Sequence, residues 1–294
     1  MIRASRLAFA AFSAPDPAAL SAYYQDVIGL APQPAAGGPR PLVSPLGETC
    51  VLLETGEAPA LTRLGFQVHP DAPLADLQRR LAAGGVASEL RSDPLPGIPL
   101  SLVTHDPNGL GVELFDTAAP AAVVAPSPAI SPLKLGHVAS YTGDIARCVS
   151  FYRDVLGFRV SDWMEDFFVF LRCGPDHHTC NFISSANRGM HHMAFELKDW
   201  AHVQTACDWL AQHGYQITWG PGRHGIGHNI FIYHRNPAGQ IVELFTEMDT
   251  MSDEEAGFFD ARPWHRDRPQ RPKVWRAAEG SNLWGAGPPP GHRS

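Results

Sequence analysis

An internal repeat constrains the fold of this chain more than any other feature of its 294 residues. Residues 23–30 (YYQDVIGL) recur as residues 151–158 (FYRDVLGF), at an offset of 128 positions. Residues 105–115 (HDPNGLGVELF) recur as residues 235–245 (RNPAGQIVELF), at an offset of 130 positions. Because the two segments recur in the same order at nearly the same offset, the sequence predicts two halves that are structural copies of each other.

Hydrophobic periodicity within the second half predicts two similar units in succession. Residues 134–141 alternate as in a strand, and Asp144 stands where it would cap a helix that ends near Gly157. The pattern restarts with a strand over 190–197 and a helix over 199–213, followed by further strands. Each half is therefore expected to contain two βαβββ modules, which predicts an α+β fold with four modules paired into two barrel-like domains.

The repeat and the local composition together predict the domain boundaries. An Ala/Pro-rich linker at 119–132 separates an N-terminal pair of modules (1–118) from a C-terminal pair (133–250). The remaining residues, 251–294, form a C-terminal extension rich in Pro, Arg and Trp. We interpret this extension as a lid or a subunit contact, and a disordered or nucleic-acid-binding arm is the alternative.

The composition narrows the class of partner. The formal net charge of −7 disfavours nucleic acid, because phosphate binding needs a basic surface. No stretch approaches the roughly 18 apolar residues of a membrane helix, and the apolar start of the chain matches a strand of the repeat better than a secretory signal. Five cysteines without a C-x-x-C pair favour a reducing cytoplasm over a disulfide framework. We therefore expect a small-molecule partner, with neither nucleic acid nor a membrane.

The histidines are distributed unequally between the two halves. Ten of the 14 lie between His137 and His234, although copies of one fold should not differ so much for structural reasons alone. The first half has Phe9 at the position of His137, and we align Gly65-Phe66 with His191-His192. Glu113 still corresponds to Glu243. The second half is thus predicted to carry a site whose two histidines the first half lacks.

These motifs resemble those of the type I extradiol dioxygenases of the vicinal oxygen chelate superfamily, most specifically over residues 133–245. The resemblance implies a mononuclear non-haem Fe(II) held by His137, His192 and Glu243. His192 is preferred to its neighbour because it aligns with His137, while strand alternation predicts that His191 faces the other side with Met193 and Phe195. Two imidazoles and one carboxylate would leave coordination positions open for a chelating substrate and for O2.

The resemblance also implies roles for residues around the metal. His178 would be the acid–base residue, and the GPGRH signature followed by a tyrosine assigns substrate-binding and catalytic roles to His224 and Tyr233. Phe170 and Trp219 would line the substrate pocket. Trp219 stands where homoprotocatechuate-cleaving members have an arginine, which favours a neutral or hydrophobic catechol. The alternatives are a solvated loop for His178 and an ordinary strand position for Tyr233.

The expected activity is cleavage of a catecholic ring next to its diol, using O2, by a homo-oligomer in the catabolism of aromatic compounds. A glyoxalase-like metalloenzyme, a hydroquinone-cleaving dioxygenase and a non-enzymatic small-molecule-binding protein on the same fold are the alternatives. A zinc site at Cys173, His177 and Cys180 is a further alternative, although these residues lack standard ligand spacing.

Overall fold

The computed structural model of the chain describes residues 2–34, 38–71, 73–122, 128–260 and 271–292. Part of the expected linker, residues 123–127, lies outside the described residues, as do residues 261–270 of the extension. Among the residues that are described, no helix is long and apolar enough to cross a membrane.

The N-terminal half forms one eight-stranded sheet from two βαβββ modules. The first module comprises β1 (Ala4–Ala14), α1 (Pro17–Tyr23), β2 (Ala31–Pro32), β3 (Arg40–Val43) and β4 (Thr49–Thr55). The second comprises β5 (Ala60–Val68), α2 (Leu74–Ala83), β6 (Glu89–Leu95), β7 (Ile98–His105) and β8 (Gly111–Phe115). The strand order is β2-β3-β4-β1-β5-β8-β7-β6, so the first strands of the two modules lie side by side at the centre.

The C-terminal half repeats this arrangement. Its first module comprises β9 (Lys134–Thr142), α3 (Ile145–Ser150), β10 (Arg159–Met164), β11 (Phe168–Arg172) and β12 (Cys180–Ser184). Its second comprises β13 (Gly189–Glu196), α4 (Trp200–Gln212), β14 (Trp219–Arg223), β15 (Ile230–Arg235) and β16 (Ile241–Thr246). The order is β14-β15-β16-β13-β9-β12-β11-β10, with β9 and β13 antiparallel at the centre. The predicted α+β fold of four βαβββ modules is confirmed.

The repeated YYQDVIGL and FYRDVLGF segments form the same local structure in both halves. Each short helix begins at a capping aspartate, with Asp144 accepting a hydrogen bond of 3.0 Å from the backbone N–H of Arg147. The helices continue as wide π-helical turns, over Tyr24–Ile28 and over Phe151–Val155. These turns bury one tyrosine in each half completely, which explains why the aromatic residue recurs with the repeat.

The C-terminal extension adds short elements to the second half. It contains β17 (Met251–Asp253), β18 (Phe258–Phe259), β19 (Lys273–Trp275) and α5 (Ala277–Gly280). Strand β19 pairs in parallel with β10 and thereby becomes the ninth strand of the C-terminal sheet. The described part of the extension is therefore folded against the second half.

Strand pairing corrects the expected alignment between the halves. Gly65 lies opposite both Phe9 and Glu113, just as Ala194 lies opposite both His137 and Glu243. The counterpart of Ala194 is thus Gly65, and the residue two positions earlier, Arg63, stands where His192 stands. The alignment of Gly65-Phe66 with His191-His192 was wrong because the spacing between modules differs slightly between the halves. The absence of histidines from these positions of the first half is unaffected.

Candidate active site

Strand register brings four of the proposed site residues into one region of the C-terminal sheet. His137 on β9 lies opposite Ala194 on β13, and Ala194 lies opposite Glu243 on β16. Glu243 in turn lies opposite Tyr233 on β15. Since side chains two residues apart on a strand share a face, His192 projects on the same side as the small Ala194. Four strands therefore direct these groups toward one point.

The proposed metal ligands converge there. Nε2 of His137 is 3.2 Å from Oε2 of Glu243 and 3.3 Å from Nε2 of His192. Nε2 of His192 is 3.3 Å from the same Oε2, and all three side chains are buried. Such separations are close to those between neighbouring ligands of one ion with bonds of roughly 2.0–2.2 Å. The two imidazoles and the carboxylate therefore fit a divalent metal, and no other such group occurs among the described residues.

The electrostatics of these groups suit metal binding. Burial alone would raise the pKa of the Glu243 carboxyl group, but charge interactions and hydrogen bonds with His137 and His192 hold it well below its usual value. Burial lowers the pKa of His192, against the opposing influence of Glu243. An ionised carboxylate beside a neutral imidazole is the protonation state that metal coordination requires.

His191 does not take the position expected from strand alternation. Because of a β-bulge between Met190 and His192, His191 lines a cavity next to the ligand group. Met193 and Phe195 instead pack in the hydrophobic core. Its Nδ1 lies 2.5 Å from Nδ1 of His192, and burial lowers the pKa of His191 to about 2. The neutral His191 can accept the Nδ1–H of His192, which leaves Nε2 of that ligand for a metal.

His178 lies beside the ligand group, in the loop that precedes β12. Its ring centroid is 4.4 Å from that of His137 and 5.2 Å from that of Phe170. Burial, followed by the neighbouring His137 and His177, holds the pKa of His178 well below its usual value. A solvated loop is excluded, because His177 and His178 are both buried. A buried neutral imidazole here is suited to accept a proton and to return it.

His224 and Tyr233 contact each other next to Glu243. Nδ1 of His224 donates to the carbonyl oxygen of Ser281 at 2.6 Å, and burial lowers the pKa of His224 to about 4. Its Nε2 therefore carries a lone pair, 3.1 Å from the Tyr233 hydroxyl. That hydroxyl donates to Oε2 of Glu243 at 2.6 Å, and burial together with Glu243 raises the pKa of Tyr233 well above its usual value.

A cavity of about 220 Å³ opens beside these groups. Trp219 and Phe170 both line the cavity, as predicted from the sequence, and Trp219 stacks on Tyr233 with ring centroids 5.2 Å apart. The C-terminal extension contributes Ser281 and His292 to the wall. The described lining residues include no lysine or arginine. The other apolar side chains that line the cavity are Tyr141, Met164, Phe167, Phe168, Ile183, Ile226 and Pro288.

Two polar residues of the site were not anticipated. Asn229 donates to Oε1 of Glu243 at 2.9 Å, and period-two alternation back from Tyr233 would have indicated it. The ring of His292 lies 4.7 Å from that of Tyr233. No sequence signal marks His292, because the extension has no counterpart in the repeat.

The alternative zinc site does not form among the described residues. His177 pairs with Asp162 through Nε2, at 3.0 Å from Oδ2. Burial raises the pKa of the Cys173 thiol to about 12 and that of Cys180 well above its usual value. Cys173, His177 and Cys180 do not form a group that could hold a metal ion within the part of the chain that the structure describes.

Curated relatives of this chain are named as dioxygenases of hydroxylated aromatic compounds. The chain is 30% identical to the 2,2',3-trihydroxybiphenyl dioxygenase of Sphingomonas paucimobilis over 81% of its own length and 87% of the relative. It is 31% identical to Metapyrocatechase 2 of Cupriavidus necator over 66% of the length of each protein. Residues 134–244 match the family described as the Glyoxalase/Bleomycin resistance protein/Dioxygenase superfamily.

A solved structure shares the whole architecture. The Mn(II)-bound glyoxalase from Novosphingobium aromaticivorans superposes with a TM-score of 0.85 at 26% identity, covering 100% of this chain and 95% of the other. Fold, ligand arrangement and relatives thus define one class of metalloprotein. The chain belongs to the extradiol dioxygenases of the Glyoxalase/Bleomycin resistance protein/Dioxygenase superfamily.

Proposed function

We propose that this protein cleaves a catecholic ring next to its diol, with O2 and a divalent metal held by His137, His192 and Glu243. The observation that carries the proposal is the convergence of these three ligands at the wall of an apolar cavity. Three groups that can transfer protons line the same cavity, the buried His178 and Tyr233 and the partly buried His224. Their joint presence supports a reaction that moves protons at a metal-bound aromatic diol.

We propose Fe(II) as the physiological metal. A site with two histidines, one carboxylate and open positions is typical of non-haem Fe(II) oxygenases. When bound, the metal would supply a centre that holds both substrate oxygens and O2 and passes electron density from the ring to oxygen. The Mn(II)-bound structural neighbour makes manganese the alternative. Metal analysis after anaerobic purification distinguishes the two.

His178 is the proposed acid–base residue. Its neutral ring lies next to ligand His137 and lines the cavity, where it can take a proton from a diol hydroxyl as the substrate binds. It can later return that proton to an oxygen of the opening ring. Positioned proton transfer of this kind contributes typically 10²–10⁴-fold to the rate.

His224 and Tyr233 are proposed to orient the substrate from their position next to Glu243. The Tyr233 hydroxyl shares its proton with Oε2 of Glu243, which is also the oxygen nearest the other two ligands. Coordination of this oxygen would compete for its lone pairs and free the hydroxyl to donate elsewhere. The lone pair on Nε2 of His224 lies 3.1 Å away and can then accept from the hydroxyl or from the substrate.

The cavity favours a neutral or hydrophobic catechol. Its described wall has no cationic side chain, and Trp219 fills the position near Tyr233 with an indole ring. The close rings of Phe168 and Phe170, 4.3 Å apart, offer an aromatic surface to a substituent on the ring. A catechol carboxylate would lose its hydration at this wall without gaining a counter-ion.

The C-terminal extension is proposed to act as a lid. Gly280, Ser281, Pro288 and His292 line the cavity, and Nε1 of Trp219 donates to the carbonyl oxygen of Ala286 at 3.1 Å. Removal of the extension after Thr250 would expose the cavity to water and release Nδ1 of His224. We expect strongly reduced turnover or altered assembly. Unchanged turnover and unchanged oligomer size would contradict the role.

Oxygen uptake tests the proposed activity. Anaerobically purified, Fe(II)-loaded protein is mixed with catechol, 3- and 4-alkylcatechols, a dihydroxybiphenyl, a carboxylated catechol and a hydroquinone. We expect equimolar O2 consumption and a yellow ring-opened product with the uncharged catechols, and weak turnover of the carboxylated one. Absence of uptake with every diol would refute the proposal, and uptake with hydroquinone alone would indicate the other ring-cleaving activity.

A glyoxalase-like reaction is the second candidate, favoured by the glyoxalase that superposes on the whole chain. Glyoxalases typically use a further glutamate ligand, and the described residues supply one glutamate to the ligand group. Isomerisation of a thiohemiacetal without O2 consumption would establish this reaction instead.

We further propose a homo-oligomer in a reducing cytoplasm. The five cysteines are all free thiols, which fits a reducing compartment. Light scattering of the purified protein measures the number of subunits.

A further inference from the structure

The buried carboxylate of Asp162 is connected through His177 to the proposed acid–base residue His178. Oδ2 of Asp162 on β10 lies 3.0 Å from Nε2 of His177, and Nδ1 of His177 lies 3.0 Å from Nδ1 of His178. Asp162 and His177 are completely buried, and His178 lines the cavity. The three side chains therefore form a continuous hydrogen-bonded line from the sheet to the proposed reaction centre.

The chemistry of these groups determines the direction of each hydrogen bond. A carboxylate only accepts, so the proton between Asp162 and His177 belongs to Nε2 of His177. With His177 neutral, its single N–H is used on Asp162, so its Nδ1 accepts and Nδ1 of His178 donates. Nε2 of His178 then keeps its lone pair, and it is the ring nitrogen left to interact with a bound substrate.

The C-terminal extension holds the carboxylate in place. The backbone N–H of Lys273 donates to Oδ1 of Asp162 at 2.7 Å, and Nε1 of Trp275 donates to Oδ2 at 2.8 Å. Both donors lie on β19, which pairs with β10. Docking of the extension therefore orients the carboxylate that faces His177.

The loop before β15 packs directly against the bond between the two histidines. Gly227 has φ +72°, and a Cβ atom there would lie 3.1 Å from Nδ1 of His177 and 3.2 Å from Nδ1 of His178. Only a residue without a side chain leaves this bond undisturbed. The backbone thus covers the two Nδ1 atoms and keeps the rings paired.

We infer that Asp162 and His177 are positioning residues that hold His178 in the tautomer with a proton on Nδ1 and a free lone pair on Nε2. This inference rests on the proposed role of His178 in ring cleavage. In this arrangement His177, the preceding residue, and Asp162 on β10 orient His178 so that its Nε2 can act as a base. It also makes this base dependent on the docked extension.

Nitrogen NMR of ¹⁵N-histidine-labelled, full-length protein tests the inference directly. With diamagnetic Zn(II) in the metal site, we expect His178 to show a protonated Nδ1 and an unprotonated Nε2. In Asp162→Asn the uncharged amide either accepts from Nε2 of His177 more weakly or, with its NH2 group toward His177, donates to Nε2 and reverses the line, so we expect the Nε2-protonated tautomer of His178 to become populated. We expect kcat of the Fe(II)-loaded variant to fall roughly 10²–10⁴-fold, as for a base in the wrong tautomer, with KM nearly unchanged.

Asp249→Asn is the matched control. Asp249 is equally buried, and its side chain accepts a hydrogen bond from Nδ1 of His228, whereas the ring nitrogens of His177 bond to Asp162 and His178. The control should keep the His178 tautomer and kcat. A wild-type spectrum with the proton on Nε2 of His178 would overturn the inference, as would an Asp162→Asn variant with unchanged tautomer and kcat.

A second variant keeps the test decisive. If Asp162→Asn does not fold, His177→Phe keeps a ring but removes the acceptor for Nδ1 of His178, and it should populate both His178 tautomers. A single unchanged tautomer there would contradict the proposed positioning role of His177. Since the tautomer is measured without turnover, failure of the proposed ring-cleaving activity would be seen separately from failure of this inference.

Discussion

The two halves of the molecule place different side chains at the same points of the same sheet. In the C-terminal half, His137, Ala194 and Glu243 lie opposite one another on three neighbouring strands. In the N-terminal half the corresponding residues are Phe9, Gly65 and Glu113. A Cβ atom on Gly65 would lie 2.3 Å from the Phe9 ring, so this ring fills the space beside the central strand.

The glutamate is present in both halves, but its charge is neutralised differently. Nε of Arg63, at the position of His192, lies 2.7 Å from Oε2 of Glu113, and Ser101 donates to Oε1 at 2.7 Å. Glu113 is therefore paired within the protein, whereas Glu243 faces two imidazoles that fit a metal. A buried carboxylate needs a partner in either case. Where the chain itself supplies the cation, the glutamate forms a structural ion pair. Where two imidazoles leave the cation to be supplied from solution, the same glutamate becomes a metal ligand.

Giving the second half the residues of the first should have the largest effect. In the double variant His137→Phe, His192→Arg, an arginine would pair with Glu243 and a phenyl ring would fill the remaining space. We expect metal binding weaker by well over 100-fold, since loss of an outer partner of a ligand already costs 10–100-fold. Turnover should fall to background while the protein stays folded.

Metal content and thermal melting measure this outcome. Phe9→Leu in the other half is the control, and it should keep one metal per chain and full turnover. A double variant that still binds metal stoichiometrically would show that the ligand assignment is mistaken.

Loss of the acid–base histidine should have the next largest effect. His178→Ala is expected to keep its metal, because the three ligands remain, but to lose roughly 10²–10⁴-fold in turnover. Pairing of Cys180 with Val138 and of Val51 with Ala10 places Thr49 at the corresponding point of the first half. Thr49→Ala should therefore leave turnover unchanged. Equal turnover of both variants and the wild type would argue against a role for His178.

Disruption of the ion pair between Arg63 and Glu113 should lower the free energy of unfolding and leave turnover unchanged. Glu113→Gln leaves Arg63 without its carboxylate, and breaking a buried pair costs about 3–5 kcal/mol. Because the Arg63 side chain is 16% exposed, we expect about 2–3 kcal/mol here, measured by urea denaturation. Turnover should be normal. In contrast, Glu243→Gln should lose the metal, and an active Glu243→Gln variant would contradict the difference between the halves.

The fold and the ligand residues could be predicted from the sequence, whereas contacts between distant segments could not. The repeat led to the confirmed four-module fold, and the resemblance to the extradiol dioxygenases led to ligands that the structure brings together. The position of His191 was wrong because a β-bulge depends on strand pairing, which no single strand's sequence shows. Arg63 was missed because the spacing between modules differs slightly between the halves. His292 and Asp162 act through contacts between segments that are distant in the chain, and local patterns carry no record of such contacts.

The contact between the halves should produce the smallest effect, a dependence of stability on pH. The Tyr23 hydroxyl of the first half lies 2.6 Å from Nε2 of His234 in the second, and burial lowers the pKa of His234 to about 3. In the unfolded chain a histidine titrates near pH 6.5. Above this pH the His234 ring is neutral in both the folded and the unfolded protein, so it does not reduce the free energy of unfolding. As the pH falls below about 6.5, the unfolded chain takes up a proton that the folded protein refuses until about pH 3. This group therefore costs up to about 1.4 kcal/mol of stability per pH unit in that window.

His234→Gln can keep the hydrogen bond to Tyr23 without titrating. It should flatten the fall in unfolding free energy by about 1–2 kcal/mol between pH 6.5 and pH 5, measured by denaturant titration at each pH. The exposed His213 provides the matched control, and His213→Gln should retain the wild-type slope. If the two glutamine variants lose stability in parallel as the pH falls, the buried contact between the halves does not contribute to acid sensitivity.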